Sequence, residues 1–424
     1  MSPKNESFFD AKKEWSKTKD KLLHDYLAPY VQKILRTEYP LLYIDCFAGR
    51  GVFEDGSLGS PMIALDVIKD SICQTKARNI KVNCVFIEKR DSQILQENIN
   101  KWEEIPYVKR EVVKGSFDDQ IGDIIHRYTR EVRYNSFLKR TFEISKPTNL
   151  FLYIDPYGIK GLNYDTFFHF ATLPSAINTV EVLLNFNSFG FVREACRICK
   201  KEKFLIDAEP QVEENICIQD EKSLDRIIGG NYWKAPILKI NRNVKAQCVE
   251  MELSGLFCNH LKKIFKYVFA LPIKSRNENA PIKYRMIYMT NHREGAILMI
   301  TNMLKRWEEY INMQEQEYLW TPMPDGKYEF EHECLKKEVL EILKCHERKV
   351  DLYDMYLEFY EVYGFVCTIS QITEVLKEFE KLNRINVTRN PPCTKSGKIS
   401  TFWTLGGERE NLTVELNDYG NDIS

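Results

Sequence analysis

Three carboxylates stand where an apolar run stops and a loop of small or ringed residues begins. In Leu41-Leu42-Tyr43-Ile44-Asp45-Cys46-Phe47-Ala48-Gly49-Arg50-Gly51, a run of buried-strand type ends in Asp45 and passes into a glycine-containing loop. Gly49 and Gly51 have no side chain, so the backbone there can approach a ligand closely and take up positive φ. Val85-Phe86-Ile87-Glu88 closes on a second carboxylate, which in an open α/β sheet can accept hydrogen bonds from both hydroxyls of a ribose. Leu150-Phe151-Leu152-Tyr153-Ile154-Asp155-Pro156-Tyr157-Gly158 closes on a third. The first loop reads D-x-F-A-G-x-G and lacks the third glycine of the dinucleotide fingerprint, so a bound pyrophosphate is not what it suits. The bland alternatives are a tight turn without ligand at the first loop, a solvated strand end at Glu88 and a Pro-initiated β-turn after Asp155.

S-adenosylmethionine (SAM) is a nucleoside without phosphate and meets these conditions. Its candidate contacts are Asp45, Phe47, Ala48, Gly49, Gly51 and Glu88. A further run ends in Gly115-Ser116-Phe117-Asp118-Asp119. In class I methyltransferases a residue at this place meets the adenine. Asp118 is the choice here for the adenine amino group and Phe117 for a stacking neighbour. Capping of the following helix by Asp118 or Asp119 is an equal competitor.

Asp155-Pro156-Tyr157-Gly158 resembles the D/N-P-P-Y/F motif of amino-methyltransferases acting on nucleobases. The aromatic comes third rather than fourth, which is nearer the D-P-F-G pattern of tRNA guanine-N2 dimethyltransferases. An exocyclic amine is a poor nucleophile because its lone pair is spread into the ring. Acceptors on its N–H groups favour the pyramidal form that attacks a methyl carbon, and Asp155 with the carbonyl of Pro156 can supply them. Tyr157 is placed to stack on an extruded base, and Gly158 leaves room for it. Asn185-Phe186-Asn187 ends a fifth run. Its amides can reach substrate, although a turn or cap explains them more simply.

Strands alternating with helices position these residues. Residues 8–36 carry an apolar stripe, Leu22, Leu23, Tyr26, Val31 and Ile34, with lysines opposite. Strands are predicted at 41–44, Val82–Glu88, Val108–Val113, Asn149–Ile154 and Val180–Phe186, with helices from Ser60-Pro61, over Asp91–Trp102 and over Asp119–Thr129. Ser60 suits a cap and Pro61 a first helical position. The alternation implies a parallel sheet covered on both faces. Residues 188–262 break the rhythm as a helical insertion. Tyr267–Ile273 and Tyr284–Thr290 then form an antiparallel pair that completes a Rossmann-like class I methyltransferase sheet, with a helix over Gly295–Tyr310. Thr321-Pro322-Met323-Pro324-Asp325-Gly326 marks a linker. The predicted organisation is therefore a methyltransferase-like domain over 1–326 and a winged-helix-like domain over 327–407. The latter has helices near 332–345, 352–363 and 369–382 and strands Arg384–Thr388 and Ser400–Leu405. A disordered tail is expected over 408–424.

With 60 Lys and Arg against 61 Asp and Glu, the formal net charge is -1, so nucleic-acid binding has to rely on a local patch. The N-terminal segment has no secretory pattern, and no apolar run reaches the length of a membrane span. The twelve cysteines fit reduced thiols in the cytoplasm. Cys196-x-x-Cys199 with Cys217 lacks a fourth ligand, and no metal site is expected. His260 and His292 have no catalytic spacing. Lys200, Lys201, Lys203, Lys234 and Lys239 with Tyr232 and Trp233 fit either a single-stranded substrate or a solvated helical face. The helix Ser370–Leu382 mixes Glu374, Glu378 and Glu380 with Lys377 and Lys381, and the following wing carries Arg389, Lys395 and Lys398. That mixture does not favour a major groove.

Taken together, these residues resemble the three-Cys-motif partner protein family, TcmP. The resemblance is carried by the Trp15/Lys-rich helix, Asp45–Gly51 with Gly59-Ser60-Pro61, Asp155–Gly158, Tyr284-Arg285-Met286-Ile287-Tyr288 with Gly295–Met299, and the C-terminal region. It implies a prokaryotic cytosolic protein that travels with a second protein bearing the cysteine motif, and it supplies no substrate. Two functions follow as expectations: methyl transfer from SAM to an exocyclic amine of RNA or DNA, or a non-catalytic SAM- or nucleotide-binding partner subunit. A DNA-binding regulator built on the C-terminal domain is a third, which the charge pattern disfavours.

Overall fold

The computed structural model describes residues 14–37, 39–75, 81–135, 139–171, 177–206, 218, 220–274, 282–317, 332–346, 349–394, 396–403 and 411–417. Helix α1 (Glu14–Ile34) buries Leu22, Leu23, Tyr26 and Tyr30 along one face. The rings of Tyr26 and Tyr30 lie 5.9 and 5.3 Å from Phe151 in the central sheet.

The alternation then runs β1 (Leu41–Asp45), α2 (Ser60–Thr75), β2 (Val82–Glu88), α3 (Ser92–Lys101), β3 (Val108–Lys114) and α4 (Phe117–Thr129). An antiparallel ribbon absent from the predicted elements follows, β4 (Arg130–Asn135) with β5 (Arg140–Ser145). Next come β6 (Thr148–Ile154), α5 (Tyr164–Ala171) and β7 (Ile177–Phe186). The predicted insertion is mainly helical: α6 (Ser188–Ile198), β8 (Leu205–Ile206), α7 (Glu221–Ile228), α8 (Lys234–Leu238), β9 (Val244–Lys245) and α9 (Ala246–Leu261). β10 (Tyr267–Lys274) and β11 (Ile282–Thr290) close the sheet.

The sheet order is β10-β11-β7-β6-β1-β2-β3. β1, β2, β3, β6 and β7 pair in parallel, while β11 runs antiparallel to both β7 and β10. This is a mixed α/β architecture with a mostly parallel central sheet, compatible with a Rossmann-like fold. β1 and β6 are buried at every residue, as strands covered on both faces must be. The chain extends from β1 through β2 to β3, then returns to β6 on the other flank. The direction of winding thus reverses between β1 and β6, where α/β sheets open a crevice at their carboxyl ends.

Two buried polar contacts pin helices to this sheet. Glu181 on β7 accepts from the Tyr26 hydroxyl, which also lies 2.7 Å from the Tyr288 hydroxyl on β11. Arg285 on β11 makes a two-pronged pair with Glu250 on α9, at 2.7 Å for each contact. Burial raises the Glu181 carboxyl to about 7, and donation from Tyr26 and Tyr288 offsets part of the rise.

The chain divides into two compact units, residues 1–295 and 296–424. The expected boundary after 326 lies outside the described residues. The division falls in the first turn of α10 (Arg293–Glu317). The second unit continues with α11 (His332–Lys344), β12 (Val350–Asp351), α12 (Leu352–Tyr363), α13 (Ile369–Lys381), β13 (Ile385–Asn390) and β14 (Asn411–Leu416). Its sheet order is β12-β14-β13, all antiparallel. The helices and β13 are close to their predicted places. The partner strand is not: residues 400–403 are not a strand, and β14 forms inside the segment expected to be a disordered tail. Leu412 and Val414 alternate with polar residues and are fully buried, which is the half-buried strand pattern. No described helix is long and apolar enough to cross a membrane.

Candidate cofactor and substrate site

The predicted carboxylates gather on both sides of the β1/β6 reversal. In register, Asp45 on β1 lies beside Phe86 on β2 and Tyr153 on β6. Glu88 and Asp155 are each two residues further along, so all three carboxylates meet at the carboxyl edge. Asp45 is fully buried and its Oδ2 has no hydrogen-bond partner among the described residues. Burial raises its carboxyl to about 7; Ser60 and the Phe47 N–H pull it down, while Asp155 and Glu88 push it further up.

The loop after β1 is tied down by its own backbone. Cys46 N–H donates to the Tyr153 carbonyl at 2.8 Å, and Ala48 N–H to the Ile87 carbonyl at 3.0 Å. Gly49 and Gly51 have φ of 62° and 78°, the left-handed region that favours glycine. A Cβ on Gly51 would stand 2.9 Å from Leu95 Cδ1 and 3.0 Å from Met62 Cε, so those side-chain ends would have to shift as well. Met62 and Ile63 N–H both donate to the Gly59 carbonyl at 3.1 Å. Gly59 is thus the cap of α2, while Ser60 and Pro61 are its first two residues. The helix thus starts one residue earlier than predicted, and Ser60 serves Asp45 instead of capping.

Glu88 is held by backbone. Its Oε2 accepts from Gly49 N–H at 2.9 Å, and its Oε1 from Arg90 and Asp91 N–H at 2.7 and 3.1 Å. A carboxylate has about four lone-pair sites, so one remains for a ligand hydroxyl. Phe117 is 2% exposed, with its ring 5.6 Å from Phe47. Asp118 is exposed and accepts from the Thr166 hydroxyl at 2.7 Å. Neither residue caps α4, whose cap position is Ser116.

Asp155 is held by side chains rather than by backbone. Its Oδ2 accepts from Lys19 Nζ at 2.7 Å and lies 3.4 Å from the Tyr153 hydroxyl; its Oδ1 accepts from Asn185 Nδ2 at 2.6 Å. Lys19 is 8% exposed and sits 5.4 Å from the centre of the Tyr284 ring. Pro156 is buried and Tyr157 is 49% exposed. Gly158 has φ of 77°. A Cβ on Gly161 would lie 3.0 Å from the Phe47 ring and 3.1 Å from Pro156, so the loops after β1 and β6 are packed together. The site can therefore offer fixed acceptors on one strand end and hydroxyl-binding carboxylate on another.

Lys19 is absent from the candidate residues that sequence reasoning selects, although its position carries a signal. It lies three and four residues before Leu22 and Leu23, on the stripe that turns inward rather than on the lysine face. The two asparagines separate in role: Asn187 caps α6 by accepting from Gly190 N–H, while Asn185 holds Asp155.

The weaker signals resolve mostly as structure. Trp233 is fully buried with its Nε1 on Asp225, and the Tyr232 hydroxyl donates to the Ile228 carbonyl. Lys201 donates to the Ile240 carbonyl, and Lys234 pairs with Glu221 and Asp225. The His260 ring lies between Tyr164 and Tyr232, at 4.5 and 4.8 Å. Cys196 is a buried free thiol whose pKa burial raises to about 12. Cys217 lies outside the described residues, and among those described no three His, Cys, Asp or Glu are grouped to hold a metal. In the second unit Arg389 grips Glu380 at 2.7 and 2.9 Å, and Glu378 pairs with Lys336 and His332. Lys395 lies outside the described residues.

No family model matches the chain. No curated protein matches it either. Among solved structures, the chain is similar to a Legionella pneumophila protein of the DUF519 family, at 9% identity and a TM-score of 0.36, covering 70% of this chain and 91% of that one. It is also similar to a loganic acid methyltransferase with SAH, at 8% identity and a TM-score of 0.23, covering 83% of this chain and 90% of that one. Superpositions this loose do not bear on activity.

Proposed function

We propose that the chain is a SAM-dependent methyltransferase that transfers a methyl group to an exocyclic amine of a nucleobase in RNA or DNA. The observation that carries this reading is Asp155, fixed as an acceptor by Lys19 and Asn185 at the strand end beside the Asp45–Gly51 loop. Strand order supports it. Counted along the sheet, β3-β2-β1-β6-β7-β11-β10, with β11 alone reversed, is the arrangement of a class I methyltransferase sheet.

In this reading Glu88 takes one ribose hydroxyl at its remaining acceptor position, the loop of Phe47, Ala48, Gly49 and Gly51 lies along the nucleoside, and Asp45 faces the amino-acid end. Asp118 and Phe117 flank the adenine. Of these two, Phe117 acts through Phe47, because it is buried behind that ring. Asp155 and the Pro156 carbonyl hold the amine, and Tyr157 is exposed enough to stack on a base. SAM supplies the electrophilic methyl group. The part of the second unit after α10, α11 to α13 with the β12-β14-β13 sheet, is read as a winged-helix-like domain that contacts substrate or a partner protein. The TcmP resemblance makes that partner a protein bearing a three-cysteine motif. It rests on the motifs alone.

One observation favours a second reading. Lys19 and Asn185 already occupy both oxygens of Asp155, which suits a SAM- or nucleotide-binding subunit without turnover. Incubation of the purified chain with methyl-labelled SAM and total cellular RNA and DNA, with and without the partner, separates the two. Label in nucleic acid that Asp155→Ala abolishes supports transfer. Binding of SAM with no label under any condition supports the subunit.

A further inference from the structure

Asn185 is the penultimate residue of β7 and lies directly beside Asp155. β6 and β7 are parallel with Ile154 opposite Leu184, so Asp155, the first residue past β6, stands level with Asn185, which is still paired to Met286 on β11. Asn185 is 2% exposed, and its Nδ2 donates to Asp155 Oδ1 at 2.6 Å. Asp155, facing the Lys19 ammonium, only accepts. The amide orientation is therefore fixed: NH2 toward Asp155, Oδ1 away from it. That Oδ1 is buried and has no partner among the described residues. A buried acceptor left unpaired is costly, and it marks a place where a donor from outside completes the arrangement.

We infer that Asn185, in place of the Pro156 carbonyl, is the second acceptor for the reacting amine, and that the pair Asp155 and Asn185 makes the site selective for a primary amine and limits it to one methyl group. This rests on the methyl-transfer reading above. A primary exocyclic amine carries two N–H donors, one for each acceptor. Its lone pair then attacks the methyl carbon, the S–C bond breaks with its electron pair going to sulfur, and one of the two protons on nitrogen leaves to solvent. The products are the thioether and a secondary amine. That secondary amine has one N–H, so in a second round either Asp155 or the Asn185 Oδ1 would face a methyl group. The second transfer is disfavoured for the same reason that a site built for a hydrogen-bonding group rejects an analogue lacking it. Lys19 and the Tyr153 hydroxyl lie on the other oxygen of Asp155, so they do not relieve the Asn185 oxygen.

The test is product analysis. Wild-type protein, Asn185→Ala and Asn185→Ser are incubated with methyl-labelled SAM and total RNA and DNA, the nucleic acid is hydrolysed, and mono- and dimethylated nucleosides are separated. Calorimetry with S-adenosylhomocysteine checks that each variant remains folded and binds cofactor. Wild type is expected to give the monomethylated base alone. Asn185→Ala is expected to lose on the order of ten- to a hundred-fold in rate and to yield a measurable dimethylated fraction, with Asn185→Ser between the two. A residue that merely positions Asp155 would slow both transfers by one factor and leave the product ratio unmoved, which overturns the inference. Dimethylated product from wild type, the outcome the D-P-F-G likeness favours, overturns it too. If wild type binds cofactor and transfers nothing, the methyl-transfer reading itself fails and this inference falls with it.

Discussion

The Lys19 ammonium lies 2.7 Å from Asp155 Oδ2, joining the N-terminal helix to a strand end 136 residues away. An acceptor held from a helix outside the sheet is oriented before substrate arrives, and pre-orientation is where such a site gains its rate. Removing the ammonium leaves a partly buried carboxylate without its cation. Lys19→Met is expected to destabilise the fold by about 1–3 kcal/mol and to slow methyl transfer on the order of ten- to a hundred-fold. Lys19→Arg should recover part of the rate. Denaturant unfolding and the labelled-SAM assay check both expectations.

The glycines of the first loop differ in what they demand. Gly51, at φ of 78°, would bring a Cβ within 2.9 Å of Leu95, whereas Gly56, at φ of 81°, has nothing within 4 Å. Gly56→Ala should cost only the left-handed backbone, about 1–2 kcal/mol. Gly51→Ala adds a clash inside the loop proposed to carry the nucleoside contacts, so it should cost more and also weaken SAM binding. Paired melting and binding measurements distinguish them.

The buried carboxylates give stability a definite pH dependence. Burial raises both Glu181 and Asp45 to about 7, against unfolded values of about 4. A raised folded pKa means that the fold prefers the protonated form. Stability from these groups is fully present below the unfolded value and is lost as pH rises through 7. Glu181→Gln should therefore narrow the stability difference between pH 5 and pH 8 by on the order of 1–3 kcal/mol. Thermal unfolding of both proteins across that range reads the effect. An unchanged slope would show that Glu181 does not contribute to it.

The Arg285–Glu250 pair fastens α9 to β11 with the Glu250 side chain wholly buried. Glu250→Ala strands the guanidinium and should cost about 3–5 kcal/mol, whereas replacing both partners with Met should come close to parental stability. Chemical denaturation of the single and double variants tests this.

What could be seen in the sequence was set by how local the signal is. β1, β2 and β6 are continuous apolar runs ending in a carboxylate, and such runs identify themselves. β14 also alternates, with Leu412 and Val414 inward, but its polar neighbourhood resembles a tail. The β4/β5 ribbon alternates only over Val132 and Tyr134 and over Phe142 and Ile144, a period too short to stand out among its Arg and Glu residues. Trp233 and Tyr232, which suited a base-stacking surface by composition, are committed to Asp225 and Ile228. At the site, the carboxylates were legible because each closes its own strand. Their partners were not, because Lys19 and Asn185 reach Asp155 only once the sheet and α1 are assembled. A lysine on the inward stripe of an amphipathic helix is the one local hint.

Isothermal titration calorimetry of the purified protein with SAM and S-adenosylhomocysteine is the most direct measurement. Saturable binding of both is expected, weakened by about tenfold or more in Glu88→Ala and nearly unchanged in Asp155→Ala. Folded wild-type protein that gives no heat with either compound would contradict the account.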